Sequence, residues 1–224
     1  MKDKNQVKQE EIAIANTIVF VKKKLLNDFS GHDWWHIYRV WKMSLYLAIK
    51  ENANSFVVQL AALLHDIDDW KLSEKTEPLN TNSAKDWLYS QKIEEKTVLH
   101  VCEIIGELSF KGAGVPTPMS SIEGEVVQDA DRLDAIGAIG IARAFYYGGN
   151  RKREMYNPDI KPVMHQSFDE YKINQSTTIN HFYEKLLLLK DMMNTDSAKK
   201  MAKKRHLFLE EYLQEFLSEW HGNK

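Results

Sequence analysis

Between Ser55 and Leu64 the chain reads SFVVQLAALL, which is apolar on almost every side once wound into a helix. A helix with a one-sided apolar stripe can lie on a surface, but one that is apolar all round has to be enclosed by other elements. The stretch Val57-Val58 and Leu60 to Leu64 therefore marks a central helix, and the rest of the chain must pack around it. The sequence then becomes abruptly ionisable, as His65-Asp66-Ile67-Asp68-Asp69. With the helix carried on to Asp69, His65 and Asp69 are one turn apart and Asp66 leans out beside them. Groups able to bind metal or move protons thus share one face at the end of an apolar rod. Burying them costs several kcal/mol, roughly, unless a metal or a partner compensates. A lone His-Asp pair is still a common surface or hydrogen-bonded feature, and it gains weight only from company elsewhere.

The rest of the chain supplies helices to enclose the rod. Apolar periodicity predicts helices over Val7–Asp28, His32–Lys50, Ser55–Asp69, Ser83–Ser90, Glu94–Glu107, Glu123–Ile136, Ala138–Tyr147, Asn174–Met193 and Ser197–Trp220. Gly148-Gly149-Asn150 is expected to stop the seventh, and Arg151 to Gln166 is the least regular segment. No strand alternation is sustained over more than four residues, and there is no internal repeat or low-complexity tract. The expectation is a single all-α domain over the 224 residues, with C-terminal helices from about 174 to 220. Apolar residues make up 43% and charged ones 28%, an ordinary soluble composition. A net charge of −2 removes the electrostatic case for general nucleic-acid binding. No apolar run approaches the ~20 residues of a spanning helix, and Met1 to Glu10 has no signal-peptide core. Cys102 is the sole cysteine, so no internal disulfide can form, which suits a reducing cytosol and a cytoplasmic location.

Two further segments keep company with His65-Asp66. Upstream lies Gly31-His32-Asp33-Trp34-Trp35-His36, where a helix starting at His32 projects His32, His36 and Arg39 to one side. Asp33 is a candidate cap for that helix. Trp34, Tyr38 and Trp41 fall on the side away from His36, as a core or interface stripe, while Trp35 is nearer the ionisable face. Downstream, Gln128-Asp129-Ala130-Asp131-Arg132-Leu133-Asp134 punctuates an apolar helix with acids, among small residues that permit close packing. Arg132 is expected to pair with Asp129 or Asp134 and brace that helix. His100 and Cys102 offer a second metal site that no further histidine cluster supports, and His165, His181, His206 and His221 read as surface or packing residues.

A histidine, a His-Asp doublet closing a buried helix, and a distant aspartate before arginine are the pattern of the HD-domain phosphohydrolase superfamily. The chain resembles it at His36, His65-Asp66 and Asp131, within a motif-bearing core of about 31–136, and looks like a bacterial single-domain subgroup. The resemblance implies an all-α helical bundle of the HD-domain type and a mononuclear metal site of His36, His65, Asp66 and Asp131. Two imidazoles and two carboxylates suit one divalent transition ion, Mn²⁺ foremost, with Co²⁺, Fe²⁺, Ni²⁺, Zn²⁺ or Mg²⁺ as alternatives. The ion would activate water and neutralise phosphoryl oxygens. Asp69 is the candidate catalytic acid or base, and Lys111, Arg39 and His32 are candidate substrate contacts. The implied function is hydrolysis of a phosphate ester or anhydride of a small molecule, a nucleotide foremost, cut as a monophosphate or at a pyrophosphate link. A cyclic-nucleotide phosphodiesterase and a non-catalytic nucleotide-sensing module are the alternatives. Neither nucleic acid nor membrane is expected as a partner. The apolar faces at Leu186 to Leu189, Phe208, Leu213 and Phe216 would serve core packing or a homodimer.

Overall fold

A computed structural model of the protein describes residues 3–26, 31–67, 82–110, 112, 114–164, 167 and 176–223. Among these, every regular element is helical, as expected for an all-α fold. The helices are α1 (Lys4–Lys24), α2 (Trp34–Lys50), α3 (Ser55–Leu64), α4 (Asn82–Ser90), α5 (Glu95–Glu107), α6 (Ile122–Asp134), α7 (Gly137–Asn150), α8 (Thr178–Glu184) and α9 (Asp196–Trp220). A 3-10 helix, Leu186–Met192, lies between α8 and α9. No helix among the described residues is long and apolar enough to cross a membrane. The chain divides into two compact units, Met1–Ser109 with Pro118–Ala130 and Phe110–Thr117 with Asp131–Lys224.

In the first unit α3 is the centre, packed against α1, α2 and α5. Its residues Val58 and Leu60 to Leu64, leaving aside none of that run, are wholly buried, which is the enclosure its composition demands. The helix starts at Asn54, whose side-chain oxygen accepts from the Phe56 amide at 3.1 Å, while the Asn54 amide donates to Glu123 at 2.8 Å. It ends sooner than periodicity predicts. His65 closes it, and a turn follows in which the Ile67 amide donates to the Leu64 carbonyl. Asp68 and Asp69 lie outside the described residues. Side chains pin α4 to α1: Trp87 of α4 stacks on Phe20 of α1 at 4.0 Å and donates to Thr17 at 2.9 Å.

In the second unit α7 packs on α8 and α9, and the 3-10 helix packs on both of the latter. Phe145, Phe182, Tyr212 and Phe216 form its aromatic cluster, with ring centroids 6.0 to 6.2 Å apart. Two helix boundaries differ from expectation for clear reasons. α7 runs through Gly148 and Gly149 and ends at Asn150, the last residue of the expected stop; Gly148 is buried inside it, where the missing side chain leaves room for Thr178 of α8. The expected helix over Asn174–Met193 is broken at Lys185, at φ −142° and ψ −59°, and resumes as a 3-10 helix. Leu186 and Leu189 are its buried residues, and three residues per turn bring that i, i+3 pair onto one face.

The α6–α7 corner predicts a stability contrast. A Cβ at Gly140 would run into the Ala135 carbonyl oxygen, whereas one at Gly106 of α5 meets nothing within 4 Å. Gly140→Ala should therefore destabilise by about 2–4 kcal/mol, and Gly106→Ala should stabilise by up to about 1 kcal/mol, both read by denaturant unfolding. Equal effects from the two substitutions would contradict the packing described.

Candidate metal centre

Two helix ends meet where the ionisable residues lie. Gly31 has φ 88°, in the left-handed region that favours glycine, and turns the chain into α2. Asp33 caps α2 by accepting from the His36 amide at 2.9 Å. That cap is why α2 begins at Trp34 and not at His32: His32 precedes the helix instead of sharing its face. His36 is wholly buried in the first turn of α2, and His65 and Asp66, at the C-terminal end of α3, are 6% exposed each.

The side chains converge on one atom. Asp66 Oδ2 is 2.7 Å from His32 Nδ1, 3.2 Å from His36 Nε2 and 3.4 Å from His65 Nε2. Ligand atoms of His32, His36 and Asp66 all lie within 4.8 Å of one another, close enough to hold a metal ion. The proton arrangement follows from the partners. His65 Nδ1 is 2.9 Å from the Ala62 carbonyl, which can only accept, so Nδ1 carries the proton. In a neutral His65 ring, Nε2 then turns its lone pair toward a carboxylate oxygen. Lone pair against anion is repulsive, and the arrangement is favourable only with a proton on Nε2 or with a cation between the two. Imidazole and carboxylate are also a donor set that divalent transition ions accept. The residues fit a metal.

The same surroundings set the state of Asp66. Burial works against its ionised form, but the charges of His65 and His32 and hydrogen bonds from His32 and His36 outweigh it and hold the carboxyl well below its usual value of 3.8.

The other expected residues fall as follows. Asp131 is half-buried on α6, sharing a helix face with Val127 and Gln128. Arg39 is half-buried on α2, three residues after His36. Asp69 and Lys111 lie outside the described residues, as does His165. Arg132 braces α6 by donating to Thr117 at 2.8 Å and to the Met192 carbonyl, while Asp134 pairs with Arg143 at 3.0 Å. His100 sits 2.9 Å from the Ser121 hydroxyl, and neither it nor Cys102 belongs to a metal-capable group among the described residues. His206 is a buried packing residue beside Glu210 at 3.3 Å, and the exposed His221 faces the Leu217 carbonyl at 2.7 Å. Trp34, Tyr38 and Trp41 form a continuous aromatic row, with Trp41 donating to Gln59 at 3.2 Å, and Trp35 is 60% exposed. The contact of His32 with Asp66 is the one that sequence reasoning missed; Gly31 just before a capped helix was its available signal.

Residues 34–136 match the HD domain family. Over 198 residues the chain is 39% identical to the uncharacterized protein YpgQ of Bacillus subtilis, a match covering 88% of each chain. Among solved structures, an HD-superfamily hydrolase from Bacillus thuringiensis is 44% identical, with 95% of this chain and 98% of that one covered at a TM-score of 0.72. YpgQ of Bacillus subtilis in complex with ADP is 37% identical, with 94% and 96% covered at a TM-score of 0.74.

A carboxyl with a depressed pKa contributes stability that is present above its usual value and lost as pH falls through the lowered one. In metal-free protein, the ¹³C signal of the Asp66 carboxylate should therefore keep its ionised shift on titration down to pH 3.8. A midpoint at or above that pH would show that the imidazoles do not hold it.

Proposed function

We propose that this chain, which belongs to the HD-domain superfamily of metal-dependent phosphohydrolases, hydrolyses a nucleotide at a phosphate ester or anhydride bond. The ligands we assign are His36, His65, Asp66 and Asp131, around one divalent transition ion, Mn²⁺ foremost. The observation that carries this reading is the approach of imidazole nitrogens to a single oxygen of a buried carboxylate.

When bound, the ion lowers the pKa of a coordinated water and offsets negative charge on phosphoryl oxygens. The residues do the rest. The Ala62 carbonyl fixes the His65 ring so that Nε2 is the nitrogen presented, and α2 holds His36 in its first turn. Asp131 contributes the second carboxylate from the face of α6 that carries Val127 and Gln128. Asp69, three residues after Asp66 and outside the ligand set, takes a proton from the attacking water or returns one to the leaving group. Arg39 and Lys111 neutralise phosphate charge and orient the substrate. Phosphate esters and anhydrides need this combination, since their barrier is set largely by charge on non-bridging oxygens and by alignment of the nucleophile.

The nucleotide assignment is supported by the likeness to YpgQ of Bacillus subtilis, solved in complex with ADP. The sole cysteine accords with a cytoplasmic setting for such chemistry.

A panel of nucleoside mono-, di- and triphosphates and cyclic nucleotides, each with Mn²⁺, Co²⁺ or Mg²⁺, should reveal turnover of at least one linear nucleotide. Pyrophosphate released from triphosphates identifies the anhydride link; turnover of cyclic nucleotides alone would replace the reading by a phosphodiesterase. Nucleotide binding with no turnover under any metal would replace it by a sensor. Asp69→Asn should lower kcat by about 10²–10⁴-fold while the bound metal is retained. Loss of metal in that variant would make Asp69 a ligand.

A further inference from the structure

We propose that His32 is a positioning residue: its Nδ1–H holds Asp66 in the orientation from which the carboxylate faces His36 and His65. The inference rests on the metal reading above and concerns a residue outside the four assigned ligands.

The contact between His32 and Asp66 is the shortest that Asp66 Oδ2 makes, 2.7 Å against 3.2 and 3.4 Å for the other two rings. A carboxylate oxygen accepts and cannot donate, so the proton is on His32 Nδ1. With its proton shared at 2.7 Å, this nitrogen serves the carboxylate first. His65 is arranged in the opposite sense, its Nδ1 proton directed to the Ala62 carbonyl and its Nε2 toward the carboxylate. The rings around Asp66 thus divide their work, His65 offering a lone pair and His32 a hydrogen. A ligating carboxylate whose orientation is fixed by such a donor binds its ion without first losing side-chain freedom, and outer contacts of this kind are worth 10–100-fold in metal affinity, roughly.

The local sequence is built to deliver this contact. Inside α2, His32 would be held one helical turn before His36 on the same face. His32 instead precedes the helix, because Asp33 caps it, and the left-handed turn at Gly31 carries the chain into His32. Its side chain is 15% exposed and its ring meets that of His36 edge to face at 5.3 Å. Within Gly31-His32-Asp33-Trp34-Trp35-His36, one residue turns the chain, one orients the carboxylate, one starts the helix and one presents a ligand nitrogen.

The test compares His32→Phe, which keeps a flat ring without the donor, with His32→Asn, whose side-chain amide offers N–H near the place of Nδ1. Mn²⁺ affinity by calorimetry should fall about 10–100-fold in His32→Phe and return most of the way in His32→Asn. The number of imidazole nitrogens coupled to the bound ion, counted by pulsed electron paramagnetic resonance, should equal that of wild type in both. Gly31→Ala, strained at this φ, should weaken Mn²⁺ binding with His32 itself intact, and it serves if His32→Phe does not fold. Unchanged affinity in His32→Phe with a raised KM for nucleotide would make His32 a substrate contact and overturn the proposal. Loss of one coupled nitrogen would make it a ligand and overturn it equally. Wild-type protein that binds no Mn²⁺ would instead overturn the metal reading, with which this proposal falls.

Discussion

The arrangement at the heart of this protein depends on one buried carboxylate. Asp66 stands at the end of an apolar helix, 6% exposed, where an isolated anion is strongly disfavoured. A charge-assisted hydrogen bond from His32 returns about 1.5–3 kcal/mol, which does not match the several kcal/mol, roughly, of desolvating a carboxylate. Neutral imidazoles alone cannot close that gap. Positive charge is needed next to Asp66, as an imidazolium in the metal-free protein or as a divalent ion in the loaded one. The chemistry of the site follows from that requirement.

Helix ends meet the demand economically. His36 lies in the first turn of α2, where backbone amides without intrahelical partners give a partial positive charge suited to an anion. At the other end, Ala62 belongs to the last turn of α3, whose carbonyls lack intrahelical donors, and the His65 ring supplies one at 2.9 Å. The hydrogen bond that finishes the helix is therefore also the one that selects which nitrogen His65 presents. Fold stability and ligand geometry share an interaction here, so a substitution aimed at one disturbs the other.

Much of this was legible in the residues. An all-round apolar SFVVQLAALL has few fates besides a central helix, and a His-Asp doublet directly after it can hardly avoid being buried. The bounds of α4, α5 and α9 were recoverable for a similar reason, since their apolar residues recur with helical spacing. Local conformations that depend on tertiary fit were not. Periodicity cannot tell that Lys185 breaks a helix so that Leu186 and Leu189 can align in a 3-10 turn. Nor can it tell that Gly148 continues α7 because Thr178 takes the space of a side chain. His32 illustrates the limit best. Spacing alone placed it one helical turn before His36 on a common face, whereas the cap at Asp33 excludes it from the helix and frees it to reach Asp66.

The chemistry of this site requires an ion among these side chains. Anomalous diffraction at the manganese edge, from crystals grown with Mn²⁺, addresses it directly. The expected result is a single strong peak per chain, in bonding contact with His36, His65, Asp66 and Asp131, with His32 still donating to Asp66. A peak elsewhere, or none despite saturating Mn²⁺, would contradict the claim that this cluster exists to hold a metal.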